Sequence, residues 1–385
     1  MVTFYNEQRV LFHNNKTSKS PKDVVKYDPK QITWTDVFLT YLKNNIELEC
    51  HSEKNTISMY RPFFKQNFCY EKKFIQRTYQ QLTIFPTPEQ KNLVICVSGI
   101  GVTKEFSCII TDTLPDLELI GKSQCFPLYY YETLDESSLF AQSEKFTRKD
   151  AVSDYILKKA RSQYADPKIK KEDIFYYVYG FLHSAEYREA FSADLKKMLP
   201  RIPLVDTAKD FWAFSSAGKK LAQLHLNYET AEPYNAMVVS SSAAAESLPL
   251  FQSKVADVRT SYSAEPPETL YQVRQMRFPK IDGKDRNGKA KKVDDKTRIV
   301  YNEKLTIASI PLEAYEYVVN GKSAIEWLME RYAVTTDKAS GIVNDPNDWA
   351  IEHGDPAYIF NLILRIITVS LETVKIVKAL PRVEF

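Results

Sequence analysis

Apolar positions along the 385-residue chain change period several times, and each change predicts a different kind of element. The first residues carry a helical pattern that turns polar over residues 14–21, a predicted loop. Trp34, Val37, Phe38 and Tyr41 then share one helix face. From Met59 to about Tyr131 the apolar runs are short and β-like. Residues 93–97 form a buried-strand candidate, residues 98–101 its turn, residues 106–110 the returning run, and residues 126–131 a third run. Residues 132–165 are charged and polar, a linker or an exposed helix. From Lys170 to Leu226 the pattern is helical. Tyr187, Phe191 and Leu195 recur every four residues until Pro200 and Pro203 end that helix, and residues 212–226 supply another with Leu221 and Leu224 inward.

Residues 231–267, rich in Ser, Ala and Pro, read as loop. A second β-like region follows at 270–278, 298–301 and 305–310. Ser323 and Glu326 have the spacing of a capping box, in which each side chain satisfies an exposed backbone donor of the first helical turn. Ile325, Leu328, Met329 and Tyr332 continue it as an apolar stripe, and a last helix is predicted over about 357–379. No internal repeat is visible. The expectation is an α+β fold of two linked units, with mixed or antiparallel β-rich segments braced by helices.

Composition narrows the class without naming a chemistry. The chain is 44% hydrophobic and 26% charged, ordinary for a globular protein. No apolar run approaches the roughly 18–20 residues of a membrane helix, and the first residues lack a signal-peptide pattern, so a cytoplasmic location without membrane contact is expected. Five widely spaced cysteines (Cys50, Cys69, Cys96, Cys108, Cys125) without a Cys-x-x-Cys read as reduced thiols. The 24 Tyr and 21 Phe read mainly as packing. A net charge of only +3 makes the distribution of charge the useful quantity.

Catalytic motifs are incomplete throughout. Gly-Lys-Ser occurs at 121–123 and 321–323, but Asp116 and Glu316 stand where a phosphate-cradling loop needs its leading glycine, so ATP hydrolysis is not expected. Residues 345–349, Asp-Pro-Asn-Asp-Trp, share the first and last character of the loop that holds a flipped base in amino-methyltransferases, with Asn347 replacing the second proline. The Gly99–Gly101 turn is a weak cofactor-loop signal. A metal-dependent nuclease could start at Pro115-Asp116, but its nearest partner, Asp166-Pro167-Lys168, is far downstream. The histidines His13, His51, His183, His225 and His353 show neither metal nor triad spacing, and His183 and His225 read as helix packing or surface residues. No catalytic residue and no metal ligand is nominated.

Two basic groups remain as candidate DNA contacts. One is Arg61, Lys65, Lys72, Lys73 and Arg77, interleaved with Tyr60, Phe63, Phe64, Phe68, Tyr70 and Phe74. The other is Arg274, Arg277 and Lys280 leading into Lys284, Arg286, Asn287, Lys289, Lys291 and Lys292, a basic, glycine-containing loop between β-like runs. Lys and Arg along such a ribbon suit phosphates, while Arg, Asn or Gln suit base edges in the major groove. A solvated hairpin tip explains the second group at least as well, and plain amphipathic structure competes for the first.

Several strings resemble one family. Tyr60-Arg61-Pro62-Phe63, the 94–99 and 123–131 segments, Asp173 to Gly180, Pro200-Arg201-Ile202-Pro203, Glu316 to Gly321, Glu326-Trp327 and Gly341 to Trp349 are similar to the C-terminal specificity, or target-recognition, region of type ISP restriction–modification enzymes. The likeness covers nearly the whole chain. It implies a parent polypeptide with nuclease, helicase-like ATPase and N6-adenine methyltransferase parts. S-adenosylmethionine, ATP and Mg²⁺ are expected for that parent and none for this chain. It implies duplex DNA and the methyltransferase/helicase portion as partners, and a division into residues 1–58 (helical tail of the methyltransferase or connector to it), 59–165 (first, β-rich part of the recognition region) and 166–385 (helical and β specificity domain). Two other functions stay open at this point: a divergent adenine-specific DNA methyltransferase, and a protein-docking module that never touches DNA.

Overall fold

The structure is a computed structural model that describes residues 1–15, 20–75, 77–134, 145–240, 248–249, 267–284 and 288–385. It is α+β, with several small, mainly antiparallel sheets and one long buried helix. Among the described residues three apolar cores hold it together. The first is local: helices Val2–Asn14 and Asp36–Lys43 close over Tyr5, Leu39, Leu42 and Leu48. The second helix starts where the Thr35 hydroxyl accepts from the Phe38 amide, an ordinary N-cap.

The two larger cores share a sheet. Strand Val94–Val97 lies between Cys108–Thr111 and Gln124–Pro127, antiparallel to both. Side chains alternate across a strand, so Val94, Cys96 and Ile109 enter one core while Ile95, Val97, Cys108 and Ile110 enter the other. Burial on both faces explains why 93–97 is a continuous apolar run rather than an alternating one. The 126–131 run splits at Leu128, whose amide bonds to the Leu93 carbonyl at 2.7 Å. Tyr129–Thr133 leaves to pair with Phe146–Asp150. The charged segment expected as linker or helix thus holds a strand and, after it, helix Asp154–Tyr164, capped by Ser153; residues 135–144 lie outside the described ones.

Helix Tyr358–Lys378 ties the cores together: Ile359 to Val374 pack in one, and Ile376 and Val377 against the other. It runs as predicted, as does helix Ala324–Arg331 with its reciprocal Ser323–Glu326 capping box. Among the described residues no helix is long and apolar enough to cross a membrane.

The β-like reading of 270–278 does not hold. A short helix, Pro267–Tyr271, gives way to irregular backbone with a single bridge between Arg277 and Val300. The reason is where its backbone groups go. Asn347 donates to the Val273 carbonyl (2.7 Å) and accepts from its amide (2.9 Å), Asn302 donates to the carbonyls of Leu270 and Gln272 (both 2.9 Å), and the Val334 amide donates to the Arg274 carbonyl (2.8 Å). Side-chain amides do what a neighbouring strand would otherwise do. Replacing Asn347 with Ala orphans both Val273 groups and is expected to cost about 2 kcal/mol, visible as a lower urea midpoint. An unchanged midpoint would remove Asn347 from this role.

Candidate nucleic-acid interface

The first hairpin, Asn55–Arg61 with Phe64–Cys69, is pinned by its own turn. Phe63 takes a left-handed backbone (φ 60°) and sinks fully between Tyr228 and Tyr317, ring centroids 5.3 and 6.0 Å away. Asn55–Arg61 is also paired, in parallel, with Leu114–Pro115, and the Ser58 hydroxyl donates to the Leu114 carbonyl at 2.8 Å. Phe64–Cys69 is therefore the outer strand of this sheet, with no further strand on its free edge among the described residues. At its middle, Gln66 and Asn67 are both exposed.

Clefts lie on either side of that edge, and Tyr60, Gln66 and Asn67 line both. The larger, about 1180 Å³, is walled by Phe64, Lys65, Arg331, Tyr332, Trp349 and Tyr358. It also carries Asp112, Glu229, Glu330 and Asp345. Tyr358 donates to Glu229 at 2.7 Å, and burial pushes the Tyr332 and Tyr358 phenols far above their usual range, so both stay protonated. The smaller cleft, about 500 Å³, has Ser58, Arg77, Gln81 and Asp116 on its wall and continues into a hollow of about 590 Å³ that adds Gln80, Lys122 and Gln124.

The predicted basic residues fall into three situations. Arg61 and Lys65 already have partners. Arg61 bonds Asp116 at 2.8 Å and lies 3.9 Å over the Tyr60 ring; Lys65 is ion-paired with Glu229 and sits 5.2 Å from the Tyr228 ring. Lys72, Lys73 and Arg77 are exposed; Lys73 donates to the Glu47 carbonyl at 3.2 Å, and Arg77 faces the smaller cleft. The second group stands on a ribbon of its own, Lys280–Lys284 paired with Ala290–Asp294, where all but Gly283 and Val293 are exposed. Lys280 pairs with Asp294 (2.6 Å) and Lys292 with Asp282 (2.9 Å), Lys284 and Lys291 are exposed, and Lys289 follows Gly288, whose φ of +78° makes the turn. Arg274 and Arg277 are exposed at its base. Arg286 and Asn287 lie outside the described residues. Gln66 and Asn67 escape sequence reading, because two exposed amides in a strand leave no periodic trace; the one available signal is the polar break Lys65-Gln66-Asn67 between Phe64 and Phe68.

Two motifs that suggested cofactor loops have structural roles. Asp345 caps helix Pro346–Glu352 and bonds Asn347, and Asn347 clamps Val273. Gly99 and the 121–123 loop pack together: the Gly99 amide bonds the Gly121 carbonyl at 3.1 Å, and a Cβ on Gly99 would lie 2.0 Å from the Lys122 carbonyl oxygen. The nuclease candidates part company too, since Asp116 binds Arg61 while Asp166 accepts from Trp212.

A family model of the type ISP C-terminal specificity domain matches residues 1–362. The chain belongs to that family. This type ISP specificity domain is similar, at 32% identity and TM-score 0.77 over 100% of its length, to the solved ATP-dependent type ISP restriction–modification enzyme LlaBIII bound to DNA. It is equally 32% identical, with TM-score 0.75, to a nuclease-deletion mutant of the type ISP enzyme LlaGI in complex with a DNA substrate mimic. A DrdV–DNA complex matches at 26% identity and TM-score 0.75. The specificity domain spans 21%, 30% and 33% of those three chains. No curated protein matches it.

Proposed function

We propose that this specificity domain recognises a particular duplex DNA sequence on behalf of a type ISP restriction–modification enzyme. The observation that carries the reading is the full-length likeness, at about a third identity, to two such enzymes captured on DNA or a DNA mimic. The exposed ribbon supports it. A two-stranded β-ribbon fits the major groove, and Lys284, Lys289, Lys291 and Lys292 cluster near its turn. Phosphate contacts there supply salt-sensitive affinity, and base-edge contacts choose the site.

In this proposal residues 1–58 connect to the methyltransferase, and residues 59–165 and 166–385 form the recognition region. The methyltransferase and helicase parts of the enzyme are the protein partner. S-adenosylmethionine, ATP and Mg²⁺ serve those parts, and adenine extraction and methylation happen there. The structural work done by the Asp345 and Asn347 side chains and by the Gly99 backbone weighs against a methyltransferase loop in this chain.

Neutralising Lys289, Lys291 and Lys292 together to Gln tests the ribbon. Duplex affinity is expected to fall roughly tenfold or more at moderate salt, and the slope of log affinity against log salt to flatten by up to about three, one per lost phosphate contact. Filter binding across a salt series reads both; an unchanged slope would take the ribbon out of the interface.

A further inference from the structure

The free edge of the first sheet is a ridge between two clefts, and its crest carries two side-chain amides with no hydrogen-bond partner among the described residues. Gln66 and Asn67 are exposed, consecutive, and line the clefts on both sides. A buried turn holds them still: Phe63 anchors one end of the strand, and six register pairs tie it to Asn55–Arg61. We infer that Gln66 and Asn67 are base-reading residues, each selecting adenine in the major groove of the recognised duplex. This rests on the DNA-recognition reading above and assigns it a specificity element outside the lysine ribbon.

The chemistry favours adenine. A carboxamide presents one donor and one acceptor side by side, which matches the adenine N7 acceptor and N6 amino donor; guanine offers two acceptors there and leaves the amide oxygen unpaired. Geometry favours two neighbouring bases. Consecutive residues of a strand advance about 3.3 Å, close to the roughly 3.4 Å between base pairs. They point to opposite faces of the sheet, so a strand entering the groove edge-on sends one side chain to each side of the groove floor. Charge sets the orientation. The larger cleft sets four carboxylates against Lys65 and Arg331, an acidic excess, whereas the smaller one and its continuation set exposed Arg77 and Lys122 against Glu118 and an Asp116 already bonded to Arg61. A phosphate backbone therefore follows the Arg77–Lys122 wall.

The test is selection from a pool of duplexes randomised over a central segment, with wild type, Gln66→Leu, Asn67→Leu and Arg77→Ala compared, and affinity for one fixed unrelated duplex measured alongside. The wild type is expected to enrich a motif containing adenine. Each Leu variant should lose the adenine preference at one position by roughly tenfold or more, with the rest of the motif and the unrelated-duplex affinity retained. Arg77→Ala should keep the motif, weaken all duplexes alike and lower the salt slope by about one. A wild-type motif that survives intact in both Leu variants overturns this inference alone. A wild type that enriches no sequence overturns the DNA-recognition reading together with it.

Discussion

Gly218→Ala is expected to destabilise the domain by about 3 kcal/mol or more, against a helix-propensity gain of about 1 kcal/mol that would by itself stabilise it. The sign therefore decides between two accounts of this glycine. Gly218 lies mid-helix in Ala208–Leu226, where the helix crosses Lys171–Phe181, and a Cβ there would lie 1.9 Å from the Tyr176 carbonyl oxygen and 2.7 Å from the Gly180 amide nitrogen. Gly180 faces it, with its own missing Cβ 2.2 Å from the Phe214 carbonyl oxygen. Both obstacles are backbone, so no rotamer change relieves them and the helices must separate. Separation would open the packing of Tyr177 on Phe211 (5.0 Å between stacked rings) and of Phe181 on Phe214 (5.1 Å). Chemical denaturation of wild type, Gly218→Ala and Gly180→Ala is the measurement. A Gly218→Ala variant as stable as wild type, or more so, would show that the glycine is there for a reason other than close helix approach.

That crossing also shows which parts of the fold a sequence can carry. Ser323 and Glu326 are three residues apart and act on each other, so the capping box is readable where it stands. The Tyr358–Lys378 helix is readable because its apolar positions fill several turns. Gly218 and Gly180 are legible only as glycines, since their meaning comes from a partner helix 38 residues away in sequence. The 270–278 segment misleads for the same reason. Its short apolar runs, Leu270-Tyr271, Val273, Met276 and Phe278, look β-like, but an amide 74 residues downstream claims the backbone that a ladder would need. At the candidate interface, charge was visible in the sequence and its compensation was not. Arg61 and Lys65 look like Arg77 until Asp116 and Glu229 arrive from distant segments. The family strings, by contrast, are local and long, which is why the specificity-domain likeness emerges from the sequence before any geometry does.

Acid is expected to loosen the junction between the two large cores well before most carboxylates protonate. His225 is fully buried there, its two ring nitrogens 2.5 Å from the Tyr179 hydroxyl and 2.9 Å from that of Thr373, with Tyr317 stacked on it at 4.9 Å. A neutral imidazole needs one donor and one acceptor, and two hydroxyls supply both. Burial holds its pKa down at about 3. Its neighbour His183 is driven well below the usual range by burial first and by the Arg188 guanidinium and His225 next. For a depressed histidine both folded and unfolded states are neutral above about pH 6.5, so stability is full there. Below that the unfolded chain takes up a proton that the folded chain refuses, and stability falls by about 1.4 kcal/mol per pH unit until the folded pKa is reached. Between pH 7 and pH 4.5 His225 alone accounts for roughly 3 kcal/mol, and His183 acts in the same direction. Urea midpoints at the two pH values should therefore drop steeply in wild type. His225→Gln, which keeps a donor and an acceptor for Tyr179 and Thr373 but cannot titrate, should be less stable at pH 7 and lose roughly 3 kcal/mol less on acidification. Parallel losses in the two proteins would mean that the ring is solvated or already charged in the fold, and that the polar junction linking Tyr179, His225 and Thr373 is open to water.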